Sequence, residues 1–288
     1  MTSQFDHPVR GAALAIGAVL LFACLDAVTK DLTTRVAIVS VVWGRYIVHC
    51  LFTVIAFWPQ AGARMFRTGH LPLQIVRGVA MVATTGLVVL ALRHLPLAET
   101  TAMVFVGPLI AASLAVPLLG ERMSLARAGS TIVGFLGVLL IARPGAALSG
   151  PGIAYALGGA VCYAVYQIVT RRLSTIDPPV TQLFYMALIG SAILVPLLPW
   201  VGDPGEIALR DWLQLLLVGL LAGTGHYLMI RAFRVAAVTT IAPYVYFQLV
   251  WAMALGWFAF GHWPDPYALC GIAVVSGSGL FMALAGRR

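Results

Sequence analysis

The chain repeats part of its own sequence at an offset of 141 residues, because residues 11–30 match residues 152–171. Seven of the twenty paired positions are identical. The same offset pairs Gly78 with Gly219 further along the chain. Both halves are almost entirely hydrophobic, so the fold has to be built from two similar apolar units.

Composition places both units in a membrane. The chain is 61% hydrophobic and only 10% charged, whereas a soluble domain carries about 25% charged residues. The net charge of +8 comes from basic residues in short loops, which indicates membrane topology and no nucleic-acid partner. The cysteines Cys24, Cys50, Cys162 and Cys270 fall in apolar segments without metal-binding spacing, so no cofactor or metal is expected. The first apolar run is read as a spanning helix and not as a removed signal peptide.

Crossing the hydrocarbon core takes about 20 apolar residues as a helix. Ten segments meet this requirement, and short connections rich in proline and glycine separate them. The predicted fold is therefore an all-α membrane protein with ten transmembrane helices. The predicted spans are 11–29, 38–58, 72–92, 96–119, 125–142, 152–170, 180–201, 212–230, 235–260 and 267–285.

The distribution of basic residues predicts the orientation. Twelve of them fall on the side of the N-terminus and five on the opposite side, with Arg45 left inside the second span. By the positive-inside rule both termini are cytoplasmic. Five spans per unit is an odd number, so the second unit enters the membrane inverted. We expect a first five-helix repeat at 1–143, a linker at 144–151 and a second repeat at 152–288, with a central cavity between the repeats.

Polar and aromatic side chains recur at helical spacing in four of the predicted spans. Lipid offers no partner for hydroxyl or amide groups, so these stripes are expected to face a pocket suited to a planar or zwitterionic solute. The alternative is that Thr and Gln only join helices, and that Tyr belongs to an interfacial belt. The stripes are Met81, Thr84, Thr85 and Val88; Glu99, Met103 and Gly107; Tyr163, Tyr166, Gln167 and Thr170; and Thr240, Tyr244, Gln248 and Trp251.

Three charged residues, Asp26, Arg45 and Glu99, lie at a similar depth near the outer ends of their spans. One hypothesis is that they form an ionic gate on the outer side, opposite a neutral inner gate. The alternative is that Asp26 pairs with Lys30 one turn away and that Arg45 reaches the interface. A proton-coupling role for Asp26 or Glu99 also stays open. The corresponding residues of the other repeat are neutral: Gln167, Met186 and Thr240.

The intramembrane histidines His49 and His226 are interpreted as hydrogen-bonding residues between helices more readily than as a proton relay. Gly219 and Gly223 form a GxxxG pair, which indicates close helix packing. The chain contains no P-loop, HExxH or GxSxG pattern, so the sequence gives no basis for an enzyme.

The chain resembles the EamA-type members of the drug/metabolite transporter superfamily. The resemblance rests on the runs "LVVLALRHLPLAETTAM", "VGPLIAASLAVPLLGERMS" and "GSTIVGFLGVLLIARPG", with Gly120-Glu121 closing the second run. It covers almost the whole chain. The second half departs from the pattern, because Gly261-His262 stands where the first half has Gly-Glu.

The resemblance implies an exporter of small molecules in the bacterial inner membrane. The ten spans make the protein multi-pass, the inverted repeats predict alternating access, and two repeats in one chain remove any need to dimerise. Its substrates are expected to be amino acids, aromatic ones above all, because the predicted pocket is aromatic and shows no cluster of Arg and Lys for phosphate. The expected substrate-binding residues are Met81, Thr84, Thr85, Glu99, Met103, Tyr163, Tyr166, Gln167, Tyr244 and Gln248, and the gating residues are Asp26 and Arg45.

Two other functions compete with this one. A multidrug exporter of planar cations would use Glu99 or Asp26 as the acidic residue of the pocket. An intramembrane enzyme or a sensor is the distant alternative, for which the sequence shows neither a catalytic set nor a signalling domain.

Overall fold

The computed structural model describes residues 8–119, 125–141, 148–174, 176–200, 207–235 and 244–285. Within these ranges the chain is helical apart from short turns, and no strand occurs among them. Three predicted features lie outside the described residues: Thr240 of the fourth stripe, the Gly120-Glu121 pair, and residues 144–147 of the predicted linker. The helices are α1 (Pro8–Leu32), α2 (Ile38–Ala61), α3 (Leu71–His94), α4 (Leu97–Val104), α5 (Gly107–Leu119), α6 (Leu125–Ile141), α7 (Gly150–Ser174), α8 (Pro179–Leu194), α9 (Leu209–Val235), α10 (Phe247–Phe260) and α11 (Pro266–Ala285).

Within the described ranges, six helices are long and apolar enough to cross a membrane. They coincide with the first, second, third, sixth, seventh and eighth spans expected from the sequence. The remaining four expected spans overlap apolar helical stretches that are shorter within the described residues. The six are Val9–Leu32, Ile38–Phe66, Leu71–His94, Gly150–Thr170, Pro179–Leu197 and Leu209–Met229, and the shorter four are Leu97–Ala111, Thr131–Ile141, Phe247–Phe260 and Pro266–Phe281.

The outer surface of these helices is strongly apolar. Ile55 and Phe258 are each about three-quarters exposed, at 74% and 77%, and Leu213 is 58% exposed. A contiguous apolar exterior of this kind would be unfavourable in water, whereas it is the expected surface against lipid acyl chains.

The fourth expected span, 96–119, is two helices and not one. A turn at Phe105 and Val106 separates α4 from α5. The cause is Pro108, which has no N–H to donate to the carbonyl of Val104 and disfavours helical geometry at Gly107. Val106 consequently bonds to the carbonyl of Met103, three residues back, at 3.2 Å. Broken helices that line an internal site are common in transporters.

The aromatic residue at this break meets its own counterpart in the second half. The 141-residue offset pairs Phe105 with Tyr246, and Tyr246 also lies in a turn, just before α10. The two rings are in edge-to-face contact with centroids 5.4 Å apart. Two equivalent residues can touch only where the two halves adjoin.

Helix packing follows the same pairing. The most extensive helix contacts are those of α3 with α7 and of α1 with α9. The 141-residue offset relates α1 to α7 and α3 to α9, so these two contacts are equivalent under the repeat. Helix α2 packs against α8, its counterpart, and α6 packs against α11, its counterpart. The interior is thus formed by α1, α3, α7 and α9 together with the broken segments.

Two glycines allow α6 and α11 to approach closely. A Cβ placed on Gly271 would lie 2.6 Å from the carbonyl oxygen of Gly137 and 2.6 Å from a side-chain carbon of Ile141. Neither contact is tolerated by real side chains, so glycine at 271 sets the spacing of this helix pair.

Candidate functional site

Two tyrosines one turn apart on α7 form an aromatic stack in the interior. The rings of Tyr163 and Tyr166 are nearly parallel, with an interplanar angle of 14° and centroids 5.8 Å apart. The guanidinium carbon Cζ of Arg77, on α3, lies 4.9 Å from the centroid of the Tyr166 ring. The result is a layered arrangement of one cation and two aromatic rings.

Arg77 is buried, with 4% of its surface exposed. Its Nε donates to Thr170 Oγ1 at 2.7 Å, its Nη1 to the carbonyl of Gln182 at 2.6 Å, and its Nη2 to Tyr166 Oη at 3.1 Å. These acceptors come from α7 and α8 and all are neutral. The arginine therefore joins α3 to both helices without an ion pair.

Gln167 follows Tyr166 on α7 and shares a helix face with Tyr163 and Thr170. Its Nε2 is buried and has no hydrogen-bond partner. Tyr163, Tyr166 and Gln167 are each only partly buried as whole residues. Tyr246 lies close enough to Tyr163 to interact with it electrostatically.

The interior acid Asp26 contacts Gln248, another predicted site residue. Gln248 Nε2 donates to Asp26 Oδ2 at 3.3 Å. The charge of Arg45 acts on Asp26, yet no ion pair within 4.0 Å forms between them among the described residues, and the Arg45 guanidinium lies 5.9 Å from the Tyr46 ring. Asp26 and Arg45 are thus neighbours without direct contact.

Glu99 is separate from that pair. It is 2% exposed, and its Oε1 lies 3.0 Å from Nε2 of His262, while its Oε2 has no partner. His262 is the residue that replaces the glutamate of the Gly-Glu pattern, and in this half it faces an acid. Lys30 is near enough for its charge to interact with Glu99.

Lys30 is not bonded to Asp26. Its Nζ donates to the carbonyls of Leu92 and Leu95 at 2.5 and 2.6 Å and lies 5.7 Å from the Phe260 ring. The local Asp26–Lys30 pair considered from the sequence is therefore absent from the described contacts, and Asp26, Arg45 and Glu99 do not form one ionic cluster.

The two intramembrane histidines stack on each other. The rings of His49 and His226 have centroids 5.5 Å apart and an interplanar angle of 7°, and Phe22 packs against His226 at 4.9 Å. Nε2 of His49 is buried without a partner. The pair joins α2 to α9 by ring stacking, and the described contacts include no hydrogen bond between the two rings.

Several predicted pocket residues are engaged in packing. Met81 and Met103 lie in hydrophobic clusters and are at most 8% exposed. Thr84 donates to the carbonyl of Ala80 in its own helix, at 2.8 Å. Thr85 Oγ1 lies 2.8 Å from the hydroxyl of Tyr46.

Tyr244 packs away from the Tyr163–Tyr166 stack. It stacks on Phe247 at 6.4 Å and contacts a cluster built around Ala15 and Ala232. The tyrosine of this segment that lies near the stack is Tyr246, which the sequence analysis did not select.

The two ends of the bundle are each bridged by polar contacts. We call the end at which α1 finishes and α9 begins the distal end. There Arg35 bonds Asp31 at 2.7 Å, Asp211 at 3.0 Å and Gln214 at 2.8 Å. Arg210 adds a longer contact of 3.4 Å to Asp31. The hydrogen bonds that Arg35 donates to Asp31 and Asp211 raise the pKa of its guanidinium above the usual value.

We call the opposite end, where α3 begins and α7 finishes, the proximal end. Asp177 Oδ2 accepts hydrogen bonds there from Thr68 at 2.6 Å and from Gln74 at 2.7 Å. Gln182 Nε2 donates to the Asp177 carbonyl at 3.1 Å. This end is bridged by neutral donors around one acid, in contrast to the ionic distal end.

A groove of about 340 Å³ opens between α10 and α11. Its wall is mostly apolar and includes Met253, Ile272 and Leu280, with Tyr246 on one side. The groove lacks the charged groups of the interior and faces outward, so it is distinct from the Arg77 region.

Sequence reasoning missed Arg77, Tyr246 and the distal network around Arg35. Arg77 and Arg35 were counted among the basic residues that set topology. The position of Arg77, inside the third predicted span and not in a loop, was the available signal. Tyr246 shares no stripe with Tyr244, so helical spacing alone does not select it.

Comparison with known proteins gives two matches to one family model. The model of the EamA-like transporter family matches residues 9–143 and again residues 150–284. A solved crystal structure superposes with a TM-score of 0.71 at 20% identity and covers 99% of this chain and 100% of its own. That likeness concerns the fold alone.

Curated relatives span nearly the whole chain at low identity. The pseudopaline exporter of Pseudomonas aeruginosa is 27% identical over 91% of this chain and 91% of its own length. The S-adenosylmethionine uptake transporter of Rickettsia prowazekii is 24% identical, over 89% of this chain and 86% of its own. The riboflavin transporter of Vibrio cholerae is 25% identical, over 93% and 91% respectively.

Proposed function

Because this chain belongs to the EamA-like transporter family and is therefore a membrane transporter of that family, we propose that it exports aromatic amino acids and related metabolites. The relatives include both uptake and export proteins, and their named solutes differ widely. Family membership thus supports a small-molecule transporter in a lipid bilayer, and the choice of substrate rests on the site.

The observation that carries this choice is the Tyr163–Tyr166 stack beside Arg77. Two parallel rings 5.8 Å apart present a flat apolar surface on which a substrate ring can stack. The amide of Gln167 supplies a polar contact beside the stack, and the carboxylate of Asp26 supplies another further toward the distal end. An aromatic amino acid combines a ring with the two charged groups that such contacts fit.

The proposed architecture is ten spans in two inverted five-helix repeats. It is supported by the two family matches, by the contact between Phe105 and its counterpart Tyr246, and by the reciprocal packing of α3 on α7 and α1 on α9. In such a transporter the site lies between the repeats, and rocking of one repeat against the other exposes it to each side in turn.

The polar networks at the two ends are suited to act as gates. The distal network holds the end of α1 to the start of α9 through Arg35, Asp31 and Asp211. The proximal network holds the start of α3 to the α7–α8 corner through Gln74 and Asp177. Opening one while the other stays closed would give alternating access. Asp26 and Arg45, next to the distal network, would couple gate and substrate.

We place the transporter in the bacterial inner membrane with both termini in the cytoplasm. The excess of basic residues on the N-terminal side supports this orientation, which makes the proximal end cytoplasmic. Two repeats in one chain supply both walls of the site, so a monomer suffices.

The remaining predicted residues take supporting roles in this proposal. Gln248 holds Asp26, and Thr84, Thr85, Met81 and Met103 form the wall behind the pocket. Tyr244 packs against the cluster of Ala15 and Ala232, and Glu99 lies between the substrate and the distal end.

The direct test is transport by the purified protein in proteoliposomes, with labelled phenylalanine, tryptophan, leucine and S-adenosylmethionine offered in parallel. We expect the two aromatic amino acids to move fastest and to compete with each other. Failure of both to move or to compete would refute the substrate choice. The same assay with an imposed pH gradient tests proton coupling, because a coupled carrier changes its rate with the gradient.

Export of planar cations is the second candidate, and one observation favours it. Glu99 is buried with one carboxylate oxygen unpartnered, a group that could pair with a cation. Export of a cationic dye should then fall in Glu99→Gln while phenylalanine export persists. Wild-type protein that moves phenylalanine and ignores the dye would exclude the cation exporter.

A further inference from the structure

We propose that Arg77 and Gln167 form a carboxylate-binding subsite, and that the substrates of this transporter are organic anions or zwitterions with a carboxylate next to a flat apolar group. The inference deepens the proposed function and rests on its claim that the interior is a transport site. It assigns a specificity-determining role to an arginine that the sequence pattern treated as a topology signal.

Arg77 has donors to spare. A guanidinium carries five N–H donors, and the described contacts use one on Nε, one on Nη1 and one on Nη2. One N–H on each terminal nitrogen therefore has no protein acceptor among the described residues. Two oxygens of one carboxylate can accept from a guanidinium together.

Arg77 also has no opposite charge. No acidic side chain among the described residues forms an ion pair with it, and its three bonded acceptors are neutral. The nearest acid in its hydrogen-bond network is Asp177, reached through Gln182, and the Asp177 carboxylate is itself bonded to Thr68 and Gln74. A buried cation without a counter-charge is unfavourable, and an anionic ligand removes that cost.

The other interior charges differ in this respect. Arg45 lies within electrostatic reach of Asp26, and Glu99 lies beside His262 and within reach of Lys30. Arg77, in contrast, has no opposite charge beside it among the described residues.

Gln167 supplies a second donor in the same place. Its Nε2 is buried and unpartnered, and it lies on α7 between Tyr163 and Thr170, the residue that holds Arg77. Its counterpart in the first repeat is Asp26, an acceptor already bonded to Gln248. Equivalent positions of the two repeats therefore carry opposite chemistry, with donors toward the proximal end and a carboxylate toward the distal end.

This polarity fits a zwitterion held in one orientation. Its carboxylate would meet Arg77 and Gln167, its ring would stack on Tyr166 or Tyr163, and its ammonium group would point toward Asp26. Tyr166 and Gln167 are only partly buried, and opening of the proximal end would give the ligand access to the buried guanidinium.

The test compares ligands that differ only in charge at one end. Binding of 3-phenylpropionate and of its neutral amide, 3-phenylpropionamide, is measured by thermal shift and titration on the full-length protein in detergent. We expect the wild type to bind the carboxylate about tenfold or more tightly than the amide, the equivalent of one charged hydrogen-bonded contact. In Arg77→Gln the difference should vanish while amide binding stays unchanged.

A second variant guards against a folding defect, because Arg77 also joins α3 to α7 and α8. Gln167→Met removes an unpartnered donor and breaks no described hydrogen bond from Nε2. We expect it to weaken carboxylate binding severalfold and to leave the amide unaffected. Arg93→Gln, which changes an exposed arginine at the end of α3, is the matched control and should behave as wild type.

The outcomes separate this inference from the proposed function. Equal binding of carboxylate and amide by the wild type, or a parallel loss of both in Arg77→Gln and Gln167→Met, would overturn the subsite even if phenylalanine is transported. A carboxylate preference that depends on Arg77 would support the subsite even if transport of aromatic amino acids fails.

Discussion

Single residues in the interior of this protein are distinguished by whether an opposite charge lies nearby. Glu99 has Lys30 within electrostatic reach, Asp26 has Arg45, and Arg77 has neutral acceptors only. Charges that are matched within the protein stabilise a conformation, whereas an unmatched charge is available to a ligand. In the proposed transport cycle, this difference separates the gating residues from the substrate-binding residues.

The Glu99–His262 contact can be tested by replacing the histidine with glutamate. Two ionised carboxylates at hydrogen-bond distance repel each other strongly. His262→Glu should therefore lower the free energy of unfolding at pH 8 by about 1–2 kcal/mol. The free energy of unfolding of His262→Glu should lie below that of His262→Gln, and this difference should shrink at pH 5, where one of the two carboxylates is protonated. Unfolding in detergent at the two pH values measures this, and a deficit independent of pH would contradict the contact.

Sequence reasoning found some of these residues and missed others for a physical reason. Asp26, Arg45 and Glu99 were identified because a charge inside an apolar run is costly and noticeable. Which charges meet depends on helix rotation and packing, which spacing along one helix does not specify. Glu99 therefore meets His262, 163 positions away, and Arg77 was assigned to the cytoplasmic basic residues although it points into the bundle.

At the scale of helices, proline and glycine determine where the chain bends and where helices touch. Pro108 divides the fourth expected span into α4 and α5, a break that composition and length did not indicate. Helix existence was predictable because apolar runs bounded by turn residues are long. Whether a helix continues past a proline was not predictable from the sequence. The outcome depends on whether neighbouring groups satisfy the hydrogen bonds that the proline removes.

The α6–α11 contact gives a matched pair of glycine variants. Gly271→Ala should destabilise the protein by about 1–3 kcal/mol because its Cβ would overlap the Gly137 carbonyl. Gly277→Ala, in the same helix with open space around it, should be neutral or stabilising by up to about 1 kcal/mol. Thermal unfolding of the two variants decides, and equal effects would show that this close approach does not exist.

The proposed gate at the distal end can be tested with two arginines that differ in their contacts. Arg35 makes short bonds to three partners, whereas Arg210 is 70% exposed and makes one contact of 3.4 Å. Spin labels at the exposed positions Ala37 and Ala208, in a variant without native cysteines, report the separation of this end by pulsed electron resonance. We expect Arg35→Gln to add a longer-distance population and Arg210→Gln to leave the distribution unchanged. Identical distributions in both variants would remove Arg35 from the gate.

At the scale of the whole molecule, the 141-residue offset relates helices, breaks and interior residues. The α3–α7 and α1–α9 contacts are equivalent under this offset, and Phe105 contacts Tyr246, its own counterpart. The symmetry is broken where function needs direction: the distal end is ionic, the proximal end is mostly neutral, and Asp26 stands opposite Gln167. A symmetric scaffold with asymmetric ends suits a carrier whose substrate enters at one face and leaves at the other.

The measurement that tests the central claim most directly is counterflow of phenylalanine in proteoliposomes. Vesicles with purified protein are loaded with unlabelled phenylalanine and diluted into a trace of labelled phenylalanine. A carrier that alternates around one site should concentrate the label inside transiently, and Arg77→Gln should reduce this overshoot. Label entry at the rate of protein-free vesicles would contradict the account.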